Sequence, residues 1–140
     1  MMAGWVPPDH WSESQAQLKK SGQVTLSASG QGTIYFTPDT ARQRWVIDTV
    51  VVKTNQAYNA GTVPTVTMAL NSNDLTTMSD GNNLGATWSG NQDTFRGTQD
   101  VGPCDNFSVI FAPPKGQSGT SLSGVICTAT VLGVKYNRRA

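Results

Sequence analysis

Arg44-Trp45-Val46-Ile47-Asp48-Thr49-Val50-Val51-Val52-Lys53-Thr54 is the stretch on which the fold turns. Eleven residues run without glycine or proline, and β-branched side chains dominate. Such side chains lose rotamer freedom in a helix and pack well on a pleated surface. Apolar residues stand at both odd and even positions, which predicts a central strand with apolar neighbours on both faces rather than an edge. Trp45 is expected in the core.

The segments on either side read as further strands separated by turns. Upstream, Val24 and Leu26 alternate with Thr25 and Ser27, Ser29-Gly30-Gln31-Gly32 turns the chain, and residues 33–37 resume the alternation; this predicts a hairpin closed by Pro38-Asp39. Downstream, a polar loop through Asn59-Ala60-Gly61 leads to Pro64. There Val66, Met68 and Leu70 face one way and Thr65, Thr67 and Ala69 the other. Residues 71–100 carry Asx- and Gly-rich runs around a short strand at residues 84–88 and predict long exposed loops. Phe107, Val109 and Phe111 alternate again, a Gly/Ser stretch crosses residues 117–124, and residues 125–136 form a long closing strand. Seven or eight strands with regular turns predict an all-β, two-sheet β-sandwich, jelly-roll-like in layout.

The N-terminal segment reads differently. Pro7-Pro8 enforces an extended start, Asp9 or Ser12 can cap a helix, and Ser12 with Gln15 has capping-box spacing. Lys19-Lys20 complement the dipole at the far end, and Gly22 supplies a stop. The expectation is an arm over residues 1–22 with a short helix, followed by a sandwich domain over residues 23–140. A helix of that length is marginal alone, so Trp5, Trp11 and Leu18 must land on something apolar and are the candidate partner-docking residues.

Composition excludes more than it selects. The chain has 140 residues, 14% charged, against roughly 25% in ordinary domains, and a formal net charge of +1. That balance offers no broad footprint for nucleic acid or an anionic membrane. No apolar run approaches the roughly 20 residues that span a bilayer, so membrane insertion is not expected. The first eight residues lack the cationic and apolar regions of a secretory signal, so export by that route is not expected either. Cys104 and Cys127 could pair once, but two buried thiols are the favoured reading.

Catalytic residues are scarce. The single histidine, His10, lies in the arm beside the only glutamate, Glu13, away from every strand that could hold it against a nucleophile. Asp48, Asp93, Asp100 and Asp105 could supply a glycosidase pair, yet aspartates in such positions usually make turns. Two cysteines and one remote histidine do not make a zinc site. Asn71, Asn73, Asp74, Asp80, Asn82, Asn83, Asn91 and Asp93 are oxygen donors that calcium could use, though without EF-hand order. No catalytic, metal or cofactor site is therefore assigned. Trp88, flanked by Asn82, Asn83, Asn91 and Asp93, could form an outward recognition surface of an aromatic face with amide donors, suited to a glycan.

The chain resembles small β-sandwich virion proteins of tailed phages of actinobacteria, of minor tail and decoration type. The resemblance is carried by Arg44-Trp45-Val46-Ile47-Asp48, by the Gly90-Asn91-Gln92-Asp93 loop leading to Gly102-Pro103-Cys104-Asp105, and by the closing Gly133-Val134-Lys135-Tyr136. It spans about residue 23 to the C-terminus and is one of layout. It implies a non-enzymatic virion subunit made in the host cytoplasm, a homo-oligomer with a trimer favoured, its arm inserted into other virion proteins and its loops outward, with a host-surface glycan as one further partner. A minor tail or tail-tip position is the first reading, a capsid decoration protein the second, and a carbohydrate-binding module the alternative from another class.

Overall fold

The computed structural model describes residues 13–55, 64–74, 91–113 and 118–138. Within them lie eight strands: β1 (Glu13–Thr25), β2 (Gly32–Phe36), β3 (Gln43–Thr54), β4 (Thr65–Leu70), β5 (Asn73–Asp74), β6 (Gln92–Val101), β7 (Phe107–Ala112) and β8 (Ile126–Arg138). They form two four-stranded antiparallel sheets, a long one in the order β1-β8-β3-β6 and a short one in the order β2-β7-β4-β5. The first strand thus pairs with the last, the second with the seventh, the third with the sixth and the fourth with the fifth.

The core lies between the sheets. Leu18, Trp45, Ile47, Val50, Val52, Val101, Cys127, Ala129 and Val131 point inward from the long sheet, and Ile34, Phe36, Val66, Met68, Phe107, Val109 and Phe111 from the short one. Trp45 is 1% exposed. The alternations expected for β3, β4, β7 and β8 are all present, and β3 is central, between β8 and β6.

Three expectations are corrected. The helical arm is the first: residues 13–25 form a strand paired along its whole length with β8, from Glu13↔Arg138 to Thr25↔Ile126. A short isolated helix is marginal, whereas this pairing satisfies the backbone and inserts Leu18 into the core. Gly22, expected as a helix stop, instead lies mid-strand where Ile34 packs against its bare Cα. The expected boundary between residues 22 and 23 therefore runs through β1; residues 1–12 lie outside the described residues. The hairpin is the second. β1 and β2 belong to different sheets, so the Ser29–Gly32 turn carries the chain across the sandwich, held by Ser27 N donating to Gln31 O at 2.9 Å and Gly30 N to Ser27 O at 2.8 Å. The third lies in residues 71–100, of which Gln92–Val101 is a ten-residue strand. The short strand expected at residues 84–88 lies outside the described residues.

One further segment is more ordered than its composition suggested. Gly119–Leu122 forms a 3-10 turn capped by Ser118, whose side chain accepts from Thr120 N, and Leu122 is buried.

Candidate interaction surface

An antiparallel sandwich ordinarily shows water a polar outer face on each sheet. On the long sheet the strand alternation turns Val46 and Val51 of β3 and Ile126, Leu132, Val134 and Tyr136 of β8 outward, all only partly exposed. These two strands are the inner pair of the sheet; Arg44, Thr49, Lys53, Thr128 and Thr130 share their outer side, so Val46, Leu132 and Val134 form the apolar patch and Ile126 lies apart from it. The flanking strands give polar residues to the same face: Gln15, Gln17, Lys19, Ser21 and Gln23 from β1, and Gln92, Arg96, Thr98 and Asp100 from β6, all exposed. An apolar centre with a polar rim is the composition of a protein–protein interface.

Local features hold this face in shape. Arg44 lies over the Tyr136 ring, 4.2 Å from its centroid, a cation–π contact. Ser21 Oγ and Thr130 Oγ1 share a hydrogen bond of 2.8 Å across β1 and β8. A β-bulge interrupts β3 at Asp48: Ile47 faces Gly133 and Thr49 faces Leu132 on β8, leaving Asp48 without a partner there. Bulges bend a strand and increase its twist. Gly133 is required at this point, because a Cβ there would collide with the carbonyl oxygen of Val46.

Toward the end of the sheet where β1 begins, residues 14–17 of β1 are exposed while the β8 residues opposite them remain partly covered. An open groove of about 390 Å³, lined by Gln15, Ala16, Gln17, Gly133 and Val134, lies there. The same end is sealed beneath by a polar network. Gln43, 4% exposed, accepts at Oε1 from Trp45 Nε1 at 2.8 Å and from Asp39 N at 3.1 Å, and donates from Nε2 to Asn137 Oδ1 at 2.8 Å. Arg138 N donates to Arg42 O at 2.8 Å.

Of the expected docking residues, Leu18 is wholly buried in the core, so its side chain presents no surface; Trp5 and Trp11 lie outside the described residues. Of the expected loop residues, Asn82, Asn83 and Trp88 also lie outside them. Asn91 donates from Nδ2 to Thr54 O at 2.9 Å, tying the start of β6 to the end of β3. Asp93 sits on β6, its Oδ1 accepting from Thr94 N at 2.8 Å.

Two of the aspartates considered for hydrolysis, Asp93 and Asp105, accept from backbone amides. Asp105 accepts from Gly102 N at 2.8 Å and from Asn71 Nδ2 at 2.9 Å, while Asn71 Oδ1 accepts from Asn106 N at 2.8 Å. This interlock holds Asn71 and Ser72 at φ 51 and 72 and Cys104 at φ 68, a backbone region that costs most residues about 1–3 kcal/mol. Asp48 accepts from the Thr49 hydroxyl at 2.9 Å. Among the described residues no three His, Cys, Asp or Glu side chains gather to hold a metal. The cysteines are both free, and only Cys127 is buried; Cys104 is exposed in its turn, contrary to expectation. Burial pushes the Cys127 thiol up to about 12.

The outer-face apolar residues were not anticipated from the sequence. Their signal was present in the two-sided apolar pattern of residues 44–54, read only as a sign of centrality.

No family model matches the chain, and no curated protein sequence does either. Among solved structures, the chain is similar to a protein of the cyanophage Pam1 capsid, with TM-score 0.47, 12% identity, and coverage of 98% of this chain and 94% of that one. It is similar to a protein of the Helicobacter pylori bacteriophage KHP30 capsid, with TM-score 0.45, 10% identity, and coverage of 91% and 94%. It is also similar to FLHE, with TM-score 0.41, 15% identity, and coverage of 89% and 98%. Likeness at this level assigns no function.

Proposed function

We propose that the chain is a non-enzymatic structural subunit of a bacteriophage virion that assembles through the outer face of its long sheet. The observation that carries the assembly role is that face itself, with an apolar patch on β3 and β8 and polar residues along β1 and β6. Water is a poor solvent for apolar side chains such as Val46, Leu132 and Val134, at about 25 cal/mol per Å², and a partner removes that cost.

The virion reading draws on the sequence resemblance and on strand order. Pairing first with last, second with seventh, third with sixth and fourth with fifth is what folding one long antiparallel hairpin over on itself produces. This supports reading the sandwich as a jelly roll, an architecture used in viral capsid domains. A tail-tip position is the favoured placement; a decoration position on the capsid is the second. The arm, residues 1–12, is the docking element, with Trp5 and Trp11 as anchors.

The test is localisation on particles. Purified virions of a phage encoding this chain, probed with an antibody to it and viewed by immunogold electron microscopy, should carry label at the tail tip. Label over the head moves the chain to the decoration role. Particles that lack the protein, while it accumulates free in the lysate, would falsify the virion reading.

A further inference from the structure

We propose that the outer face of the long sheet receives the N-terminal arm of a second copy, residues 1–12, with Trp5 and Trp11 covering the patch formed by Val46, Leu132 and Val134. The inference rests on the assembly reading above and names the partner of that face.

Three observations select this occupant. The first is where the arm starts. β1 is an edge strand that begins at Glu13, opposite Arg138, at the end of the sheet that carries the groove beside Val134. Trp11 stands only two residues before Glu13, and Trp5 eight. Twelve residues reach roughly 40 Å when extended, enough to cross onto a neighbouring sheet.

The second is charge. The face and its margins carry Lys19, Arg44, Lys53 and Arg96 against Asp48 and Asp100. Each face carries an excess of positive charge, so two of them meeting head-on repel on net. The arm, MMAGWVPPDHWS, has no Lys or Arg and a single Asp, so it covers the apolar centre without that repulsion.

The third is chemistry. The arm places two indoles in twelve residues, and Pro7-Pro8 between them favours an extended chain with little conformational entropy to lose. Aromatic anchors seated in apolar pockets dominate interface energies, and the open groove lined by Gln15, Ala16, Gln17, Gly133 and Val134 borders the patch.

Docking of this kind is heterologous: each copy offers an arm and a face, and the chain of contacts closes into a ring or continues. That gives a decisive mixing experiment on the full-length protein, read by sedimentation velocity. The unaltered chain is expected to run as a defined multiple of 14.9 kDa. The arm variant Trp5→Ser/Trp11→Ser and the face variant Leu132→Lys/Val134→Glu should each be monomeric with native circular dichroism. Leu132→Gln is the milder face variant should the double change impair folding. Mixed one to one, the two should form a species of two copies, because one intact arm still meets one intact face.

A monomeric unaltered chain would overturn the proposal. So would an arm variant that assembles as the unaltered chain does, since that outcome belongs to face-to-face contact, and so would a mixture that stays monomeric, since an intact arm would then fail to meet an intact face. Labelled particles with a monomeric free protein would defeat the arm exchange and leave the virion reading standing, whereas an assembling protein absent from particles would do the reverse.

Discussion

The outer faces of the two sheets solve the same problem differently. On the short sheet the outward residues of β4 and β7 are mostly small or hydroxylic: Thr65, Thr67 and Ala69, and Ser108, Ile110 and Ala112. Their hydroxyls turn back onto the sheet, Thr65 Oγ1 donating to Ala112 O at 3.1 Å and Ser108 Oγ to Ala69 O at 3.5 Å. Tyr35, 67% exposed, is the one large hydrophobic residue fully open to solvent among those described. On the long sheet the outward positions of β3 and β8 hold Val46, Val51, Ile126, Leu132, Val134 and Tyr136 beside Arg44, Thr49, Lys53, Thr128 and Thr130. On the short sheet Thr65, Ala69 and Ser108 are themselves buried, at 8%, 1% and 6% exposure, whereas on the long sheet the apolar side chains of the two central strands stay partly exposed, which costs free energy in water.

The contrast can be broken first on its core side. Trp45→Ala should destabilise the fold by about 3–5 kcal/mol through the cavity it leaves, measured by urea unfolding; a change under about 1 kcal/mol would mean that the long sheet does not depend on its inward packing. Gln43→Leu should cost about 1–3 kcal/mol, because the buried Trp45 Nε1 loses its acceptor. The same variant should leave Cys104 labelling by iodoacetamide unchanged.

Cys127 sharpens the comparison through pH. Its thiol is raised from 9.0 to about 12 in the folded chain. Between those values the unfolded chain releases a proton that the folded chain keeps, so the contribution to stability is fully present below pH 9 and falls as pH rises through this window. The slope should be about 1.4 kcal/mol per pH unit, and Cys127→Ala should flatten it. A slope unchanged in that variant would place the titration elsewhere.

The smallest effect on stability separates the two faces most directly. Val51→Lys on the long sheet and Thr67→Lys on the short one should each shift unfolding by roughly 0.5 kcal/mol or less, as surface changes do. Only Val51→Lys should lower the solution mass. Equal effects on mass would erase the distinction between the faces.

Much of the sandwich was legible because strand periodicity is local. Residues 44–54, 65–70, 107–112 and 126–138 alternate or run apolar on both faces, and each became the strand expected. The segment at residues 13–25 misled because its local signals, the Ser12–Gln15 spacing and the charges ordered along a helix dipole, are worth only tenths of a kcal/mol to about one each. Pairing with a strand more than a hundred residues away outweighs them. β6 hid for the opposite reason: Gln92–Val101 is polar on its exposed edge and has few residues that announce a strand.

The sequence by itself determined that this is an all-β chain with Trp45 at its centre, poor in catalytic side chains and built on long two-sided strands. Only the tertiary structure decided which side of those strands faces out. Whether Val46 and Val134 are core or surface depends on which sheet faces which, and that is fixed by pairings distant in sequence, β1 with β8 and β3 with β6. Alternation names two faces but does not say which is covered; the second sheet covers one and leaves the other outside the core.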